Sequence, residues 1–163
     1  MATPTYDPIA STTLTSSASS VTFSSLDTIA AGYRDLVLVV QATATTSFAS
    51  FFHRFNGDSG SNYNRVWMYG DGSSTASQAQ SSVAQYHPGN FRTAVSQGIS
   101  HIMDFSATDK HKSIISRVED TGIATYAAAG RWANTSAITS IEIFTSSNAF
   151  AAGSTFSLYG IAA

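Results

Sequence analysis

Four histidines, His53, His87, His101 and His111, and ten carboxylates are the residues with the means to move protons or hold a metal. Their spacing supports neither task. No two histidines lie four apart and there is no cysteine, so the sequence offers no zinc site. Asp58, Asp71, Asp104, Asp109 and Asp120 have the oxygens for calcium, yet none begins the fixed run of ligands, closed by a glutamate, of an EF-hand loop. They read as turn formers, with a calcium site built from separate loops as the alternative. Glu119 and Glu142 are the only glutamates. A glycosidase needs two carboxyls flanking one bond, and nothing in the sequence brings these together. His101, inside an apolar run, reads as a hydrogen-bonded core residue.

Gly57-Asp58-Ser59-Gly60 has the form in which one class of serine proteases carries its nucleophile. A triad also needs a histidine base and a buried carboxylate within hydrogen-bond reach, and no histidine stands upstream in a matching context. The same residues make a tight turn, with glycine supplying positive φ and Asp and Asn bonding nearby backbone. The expectation is therefore no catalytic residues, no cofactor and no metal, and a protein that is not an enzyme.

The aromatic side chains are more informative. Trp67, Tyr69, Tyr86 and Trp132, with Phe48, Phe52 and Phe91, exceed what one small core needs. Flat rings stack on sugars, and Trp and Tyr also fill cores and subunit interfaces. Trp67, Tyr69, Tyr86 and Trp132 are thus candidates for an interface or for glycan stacking. Asn134-Thr135-Ser136 fits a glycosylation pattern but reads as a turn.

The elements that must position these residues follow from composition and pattern. The chain has 163 residues, of which 11% are charged, against about 25% in typical domains. The net charge is −2 and the only lysines are Lys110 and Lys112. Nucleic acid is not an expected partner, because phosphate binding needs clustered cations. Lys110-His111-Lys112 reads as a solvated basic loop. No run is long and apolar enough to span a membrane, and no basic-then-apolar leader opens the sequence. Low charge with many hydroxyls suits a surface covered by neighbours, or a neutral β-domain, since strands favour threonine.

Residues 1–9 read as an extended arm held open by Pro4 and Pro8. Thr3, Pro4, Tyr6 and Pro8 are its candidates for gripping a neighbouring subunit. Residues 10–163 read as a single β-sandwich domain. Residues 10–14 and 21–24 are short strands, and residues 33–43, apolar on both faces, are a central strand. In residues 48–56, Phe51, His53 and Phe55 share one face, with Phe52 and Arg54 on the other. In residues 63–69, Val66 and Met68 oppose Arg65, Trp67 and Tyr69. Residues 73–82 are a loop or a weak edge strand, and Pro88-Gly89 breaks residues 83–95. Residues 98–106 and 112–119 form a hairpin, and residues 123–132 a further strand whose Ala127-Ala128-Ala129-Gly130 run lets a neighbouring layer or chain approach. Residues 137–163 read as a closing hairpin. Nine or ten strands without a helix define an all-β, antiparallel two-layer sandwich of jelly-roll type.

Several stretches carry a family resemblance: Tyr33-Arg34-Asp35-Leu36-Val37-Leu38-Val39-Val40, the turn Phe55 to Tyr63, Tyr69-Gly70-Asp71-Gly72, Lys112 to Arg117, and the ending Ala152-Gly153-Ser154-Thr155-Phe156-Ser157-Leu158-Tyr159-Gly160-Ile161. Over residues 20–163 the chain resembles small virion structural proteins of tailed phages, common in phages of cyanobacteria. The resemblance implies a β-sandwich that assembles in the virion. The leading expectation is a capsid cement or decoration protein, a homotrimer that clamps neighbouring major capsid subunits. The alternative is a tail-fibre, neck or baseplate component that binds host surface glycans.

Overall fold

The computed structural model describes residues 5–162. Its strands are β1 (Asp7–Thr13), β2 (Ser20–Phe23), β3 (Tyr33–Ala42), β4 (Ala49–Phe55), β5 (Tyr63–Gly70), β6 (Thr75–Val83), β7 (Tyr86–Phe91), β8 (Ser96–Met103), β9 (Lys112–Glu119), β10 (Thr125–Trp132), β11 (Ile141–Thr145) and β12 (Thr155–Ala162). One helical turn, α1 (Leu26–Ile29), drops Leu26 into the core. The eight-stranded sheet runs β1-β12-β3-β8-β9-β10-β5-β6, and a four-stranded sheet runs β2-β11-β4-β7. Every pairing is antiparallel. The fold is an all-β two-layer sandwich of jelly-roll type.

Alternation along the strands builds the core. In β3, Leu36, Leu38, Val40 and Ala42 point inward and are buried. In β4, Phe51, His53 and Phe55 do the same, and Phe51 stacks on Phe91 of β7 at 4.0 Å between ring centroids. Phe150 closes one end between Phe91 and Phe156. Two polar links cross the apolar interior. His53 Nε2 lies 2.9 Å from Ser100 Oγ, and Tyr86 Oη lies 2.7 Å from Ser116 Oγ. Each joins one sheet to the other and gives a buried polar atom its partner, while His53 Nδ1 is buried without one.

The structure departs from the sequence reading at several places. Residues 137–163 are not a hairpin: β11 belongs to the small sheet and β12 to the large one. The connection turns the corner between layers, with Asn148 and Gly153 at positive φ and Phe150 bridging Ala18 and Ala44. The N-terminal strand begins at Asp7, three residues earlier than expected, because Asp7 and Pro8 pair with Gly160 and Tyr159 of β12. Pro8 is tolerated because β1 is an edge strand, where a missing N–H breaks no ladder. Pro88 and Gly89 likewise lie inside β7, the edge of the small sheet, and do not end it. Of the two readings of residues 73–82 the edge strand is the one observed: they hold most of β6, the opposite edge of the large sheet. Thr3 and Pro4 lie outside the described residues.

Gly130 lets the layers close. A Cβ there would stand 2.6 Å from both the Asn64 carbonyl oxygen and the Tyr86 ring. The turn Asn56-Gly57 is built differently. Both residues have positive φ, 53° and 67°, and a Cβ at Gly57 would meet nothing within 4 Å. Gly57→Val is therefore expected to cost on the order of 1–3 kcal/mol through the backbone alone. Thermal denaturation checks this, and an unchanged Tm rejects it.

Candidate functional site

The structure divides the four aromatic candidates in two. Trp132 and Tyr86 are core residues, 1% and 0% exposed. Trp132 packs against Phe55 and Tyr63, and its indole N–H donates to Asp58 Oδ2 at 2.7 Å. Burial pushes the Asp58 carboxyl up, but Trp132, Asn62 and the Gly60 N–H outweigh that and hold it below the usual carboxylate range. The Gly57-Asp58-Ser59-Gly60 stretch is thus a turn pinned to the core, with no histidine bonded to Ser59 among the described residues. Burial raises the Tyr86 phenol to about 12. Trp67 and Tyr69, by contrast, are partly buried, packed against the margin of the core.

Two further expectations change. Lys112 is not on a solvated loop. It is fully buried, and its Nζ donates to the carbonyls of Ala107, Lys110 and Thr135 at 2.6, 3.0 and 3.3 Å. The β8–β9 turn wraps the ammonium, and burial lowers its pKa. His101 is not in the core. It points out of the large sheet, 38% exposed, with Nε2 2.9 Å from Asp35 Oδ2. The core histidine is His53. Among the described residues no group of three or more His, Asp or Glu could hold a metal.

Two surfaces then stand out. The first is the outer face of the large sheet, where the register lines up two rows across the whole width. One runs Pro8, Tyr159, Val37, His101, Ile115, Ala129, Val66, Ala79. The next runs Ser11, Ser157, Val39, Ile99, Arg117, Ala127, Met68, Ser77. Their one formal charge is Arg117. Tyr6 and four residues of these rows, Val39, Val66, Met68 and Ile115, are five of the nine large apolar side chains left exposed among the described residues, so the exposure is concentrated rather than scattered. Tyr6 borders the same depression as Val37, Val39, Ile99 and Tyr159. The residue before β1 therefore reaches onto this face, and Val37 beside it is only 3% exposed.

The second surface is a step on the opposite side. β7 lies against β9, β10 and β5, so the four-stranded layer ends there and the inward sides of β5 and β6 open to solvent. Across this step the rings form one chain. Phe144 lies 5.5 Å from Phe52, Phe52 4.9 Å from His87, His87 6.4 Å from Trp67, and Trp67 5.5 Å from Tyr69. Tyr126 supports both Trp67 and Tyr69 from below, at 6.3 and 5.7 Å. Polar side chains fix the rings. The Trp67 indole N–H donates to Gln78 Oε1 at 3.2 Å. Arg54 lies 4.3 Å over Phe144 and pairs with Glu142 at 3.0 Å. Arg65, beside Trp67 on β5, donates to Gln80. The nitrogen Nε of both arginines is buried without a partner. The alternation of β5 separated Arg65, Trp67 and Tyr69 from Val66 and Met68 correctly; the participation of His87 and Tyr126 depends on the end of the small sheet and left no local signal.

No family model and no curated protein matches the chain. Similar solved structures include the CBM40 domain of Ruminococcus gnavus IT-sialidase bound to α2,3-sialyllactose, at 8% identity and TM-score 0.37, covering 96% of this chain and 94% of that one. The Caenorhabditis elegans galectin LEC-6 is similar at 10% identity and TM-score 0.36, covering 94% and 96%. A mutant of alginate lyase Aly36B in complex with alginate tetrasaccharide follows at 10% identity and TM-score 0.27, covering 80% and 70%. The likeness lies in the layered β-architecture and goes no further.

Proposed function

We propose that this chain is a non-enzymatic building block of a phage particle, a cement or decoration subunit that docks on its neighbours through the outer face of the large sheet. The observation that carries the reading is the concentration of exposed apolar side chains, Val39, Val66, Met68 and Ile115 with Tyr6 beside them, on rows that cross all eight strands and carry a single formal charge. At about 4.8 Å between strands such a face is about 34 Å wide. Over the roughly 14 Å of strand length that two rows occupy it offers on the order of 450 Å², so a stable interface of ~800 Å² per partner takes in the flanking rows as well. An outer face with exposed Val, Ile and Met side chains can bury them against a like face, so another copy of this chain is the first partner, and the shell protein beneath it the second. Tyr6, at the root of the N-terminal segment, lies where that segment joins the contact.

The test is sedimentation of the purified chain, alone and with particles that lack it. The expected result is an oligomer that co-pellets with particles. A double substitution, Val39→Glu with Ile115→Glu, places two charges on an exposed face; it is expected to leave the Tm near wild type and yield monomers that no longer pellet. A monomer at every concentration that never binds particles would sink the reading.

A further inference from the structure

The geometry points to the aromatic step as a carbohydrate-binding site for acidic glycans, with Trp67 and Tyr69 as the stacking platform and Arg65 as the seat of the sugar carboxylate. The step lies on the side of the sandwich away from the apolar rows, so the site is separate from the proposed docking face and both can be occupied together.

Three features specify this occupant. A sugar presents C–H faces edged by hydroxyls, and its binding needs rigid rings flanked by planar donors and acceptors. Here the Trp67 ring is oriented by Gln78 and backed by Tyr126, so little freedom is lost on stacking. The exposed Gln78 amide stands at its rim, and the Tyr69 hydroxyl has no hydrogen-bond partner among the described residues. An apolar protein partner would leave these groups unpaired, at a penalty.

The third feature is the unequal treatment of the two arginines. Arg54 is neutralised by Glu142. Arg65 has only the neutral Gln80, and no carboxylate pairs with it among the described residues. Its guanidinium is half-buried, with Nε unsatisfied. A partly buried cation without a counter-charge is expensive to maintain. A ligand carboxylate accepting from the terminal nitrogens of Arg65 while its ring lies on Trp67 supplies the missing counter-charge, although Nε itself lies too deep to be reached.

The experiment measures binding of the full chain to a panel of uronic- and sialic-acid oligosaccharides and to their methyl esters, by calorimetry and tryptophan fluorescence. Expected is binding of carboxylated members that weakens at least about tenfold on esterification, the loss of a charge-assisted bond. Trp67→Ala is expected to abolish binding, and Arg65→Gln to remove the preference for acid over ester. Tm and sedimentation of the variants guard against loss of fold, and keep this outcome distinct from failure of the docking face. Absence of binding across the panel, binding that survives Trp67→Ala in folded protein, or equal affinity for acid and ester overturns the proposal.

Discussion

Trp132→Ala is expected to lower the stability of the chain by about 3–5 kcal/mol, the cost of emptying a large aromatic site in a packed core. Two losses combine. The ring vacates the space between Phe55 and Tyr63, and the buried side of Asp58 loses its donor at 2.7 Å. At about 2–4 °C per kcal/mol for a chain of this size, the Tm falls by roughly 6–20 °C. Trp132→Phe, which keeps a ring and removes only the N–H, is expected to cost about half as much or less. The comparison with Trp67→Ala decides the point: that residue is only partly buried on the step, and its removal is expected to change Tm by only a few degrees. Equal Tm shifts for the two tryptophans would contradict the division of roles. A substitution at Trp132 thus reports on folding and cannot serve as a test of ligand binding.

The second large effect is on pH. Complete burial beside Ser100 pushes the His53 imidazole down to about 3 from its ordinary 6.5. The unfolded chain takes up a proton as pH falls below 6.5 while the folded chain does not, so stability is full above 6.5 and is lost as pH falls toward 3. The slope approaches about 1.4 kcal/mol per pH unit, or about 3 kcal/mol between pH 7 and pH 4. His53→Gln keeps a group able to bond Ser100 and does not titrate. Urea denaturation of both proteins at pH 7 and pH 4 isolates the contribution, since the carboxylates they share cancel. Wild type is expected to lose about 3 kcal/mol more than the variant. Equal losses would show that His53 takes its proton without unfolding.

These two residues also show what the sequence could disclose. Strand periodicity placed Phe51, His53 and Phe55 on one face and opposed Val66 to Trp67, because side-chain alternation is local. The Gly57 turn was legible for the same reason: its positive φ is a property of two residues. Trp67 and Trp132 look alike in sequence, on neighbouring strands that pair with each other. Their fates differ because Phe55 of β4 lies over Trp132, whereas Trp67 meets only His87 at the edge strand β7, and only the whole fold determines where the small sheet stops. Lys112 was misjudged because its three carbonyl partners come from residues 107, 110 and 135, and no local window contains them all. The β11–β12 segment was misjudged because two alternating runs joined by turn formers look the same whether they pair with each other or part into different layers.

The order of strands bears on how the chain reaches this state. β12 sits between β1 and β3, so the first two strands of the large sheet have no contact along that edge until the last described strand has left the ribosome. The β8-β9-β10 meander can form early, being local in sequence. Until β12 inserts, β3 presents a bare apolar edge, Leu36 to Val40, which is a template for pairing with the same edge of another nascent chain. Closing a sheet across more than a hundred residues is slow, in the range of milliseconds to seconds. Crowded synthesis therefore sets a race between insertion of the final strand and edge-to-edge aggregation, and yield should respond to temperature and expression rate more sharply than to the stability of the finished sandwich.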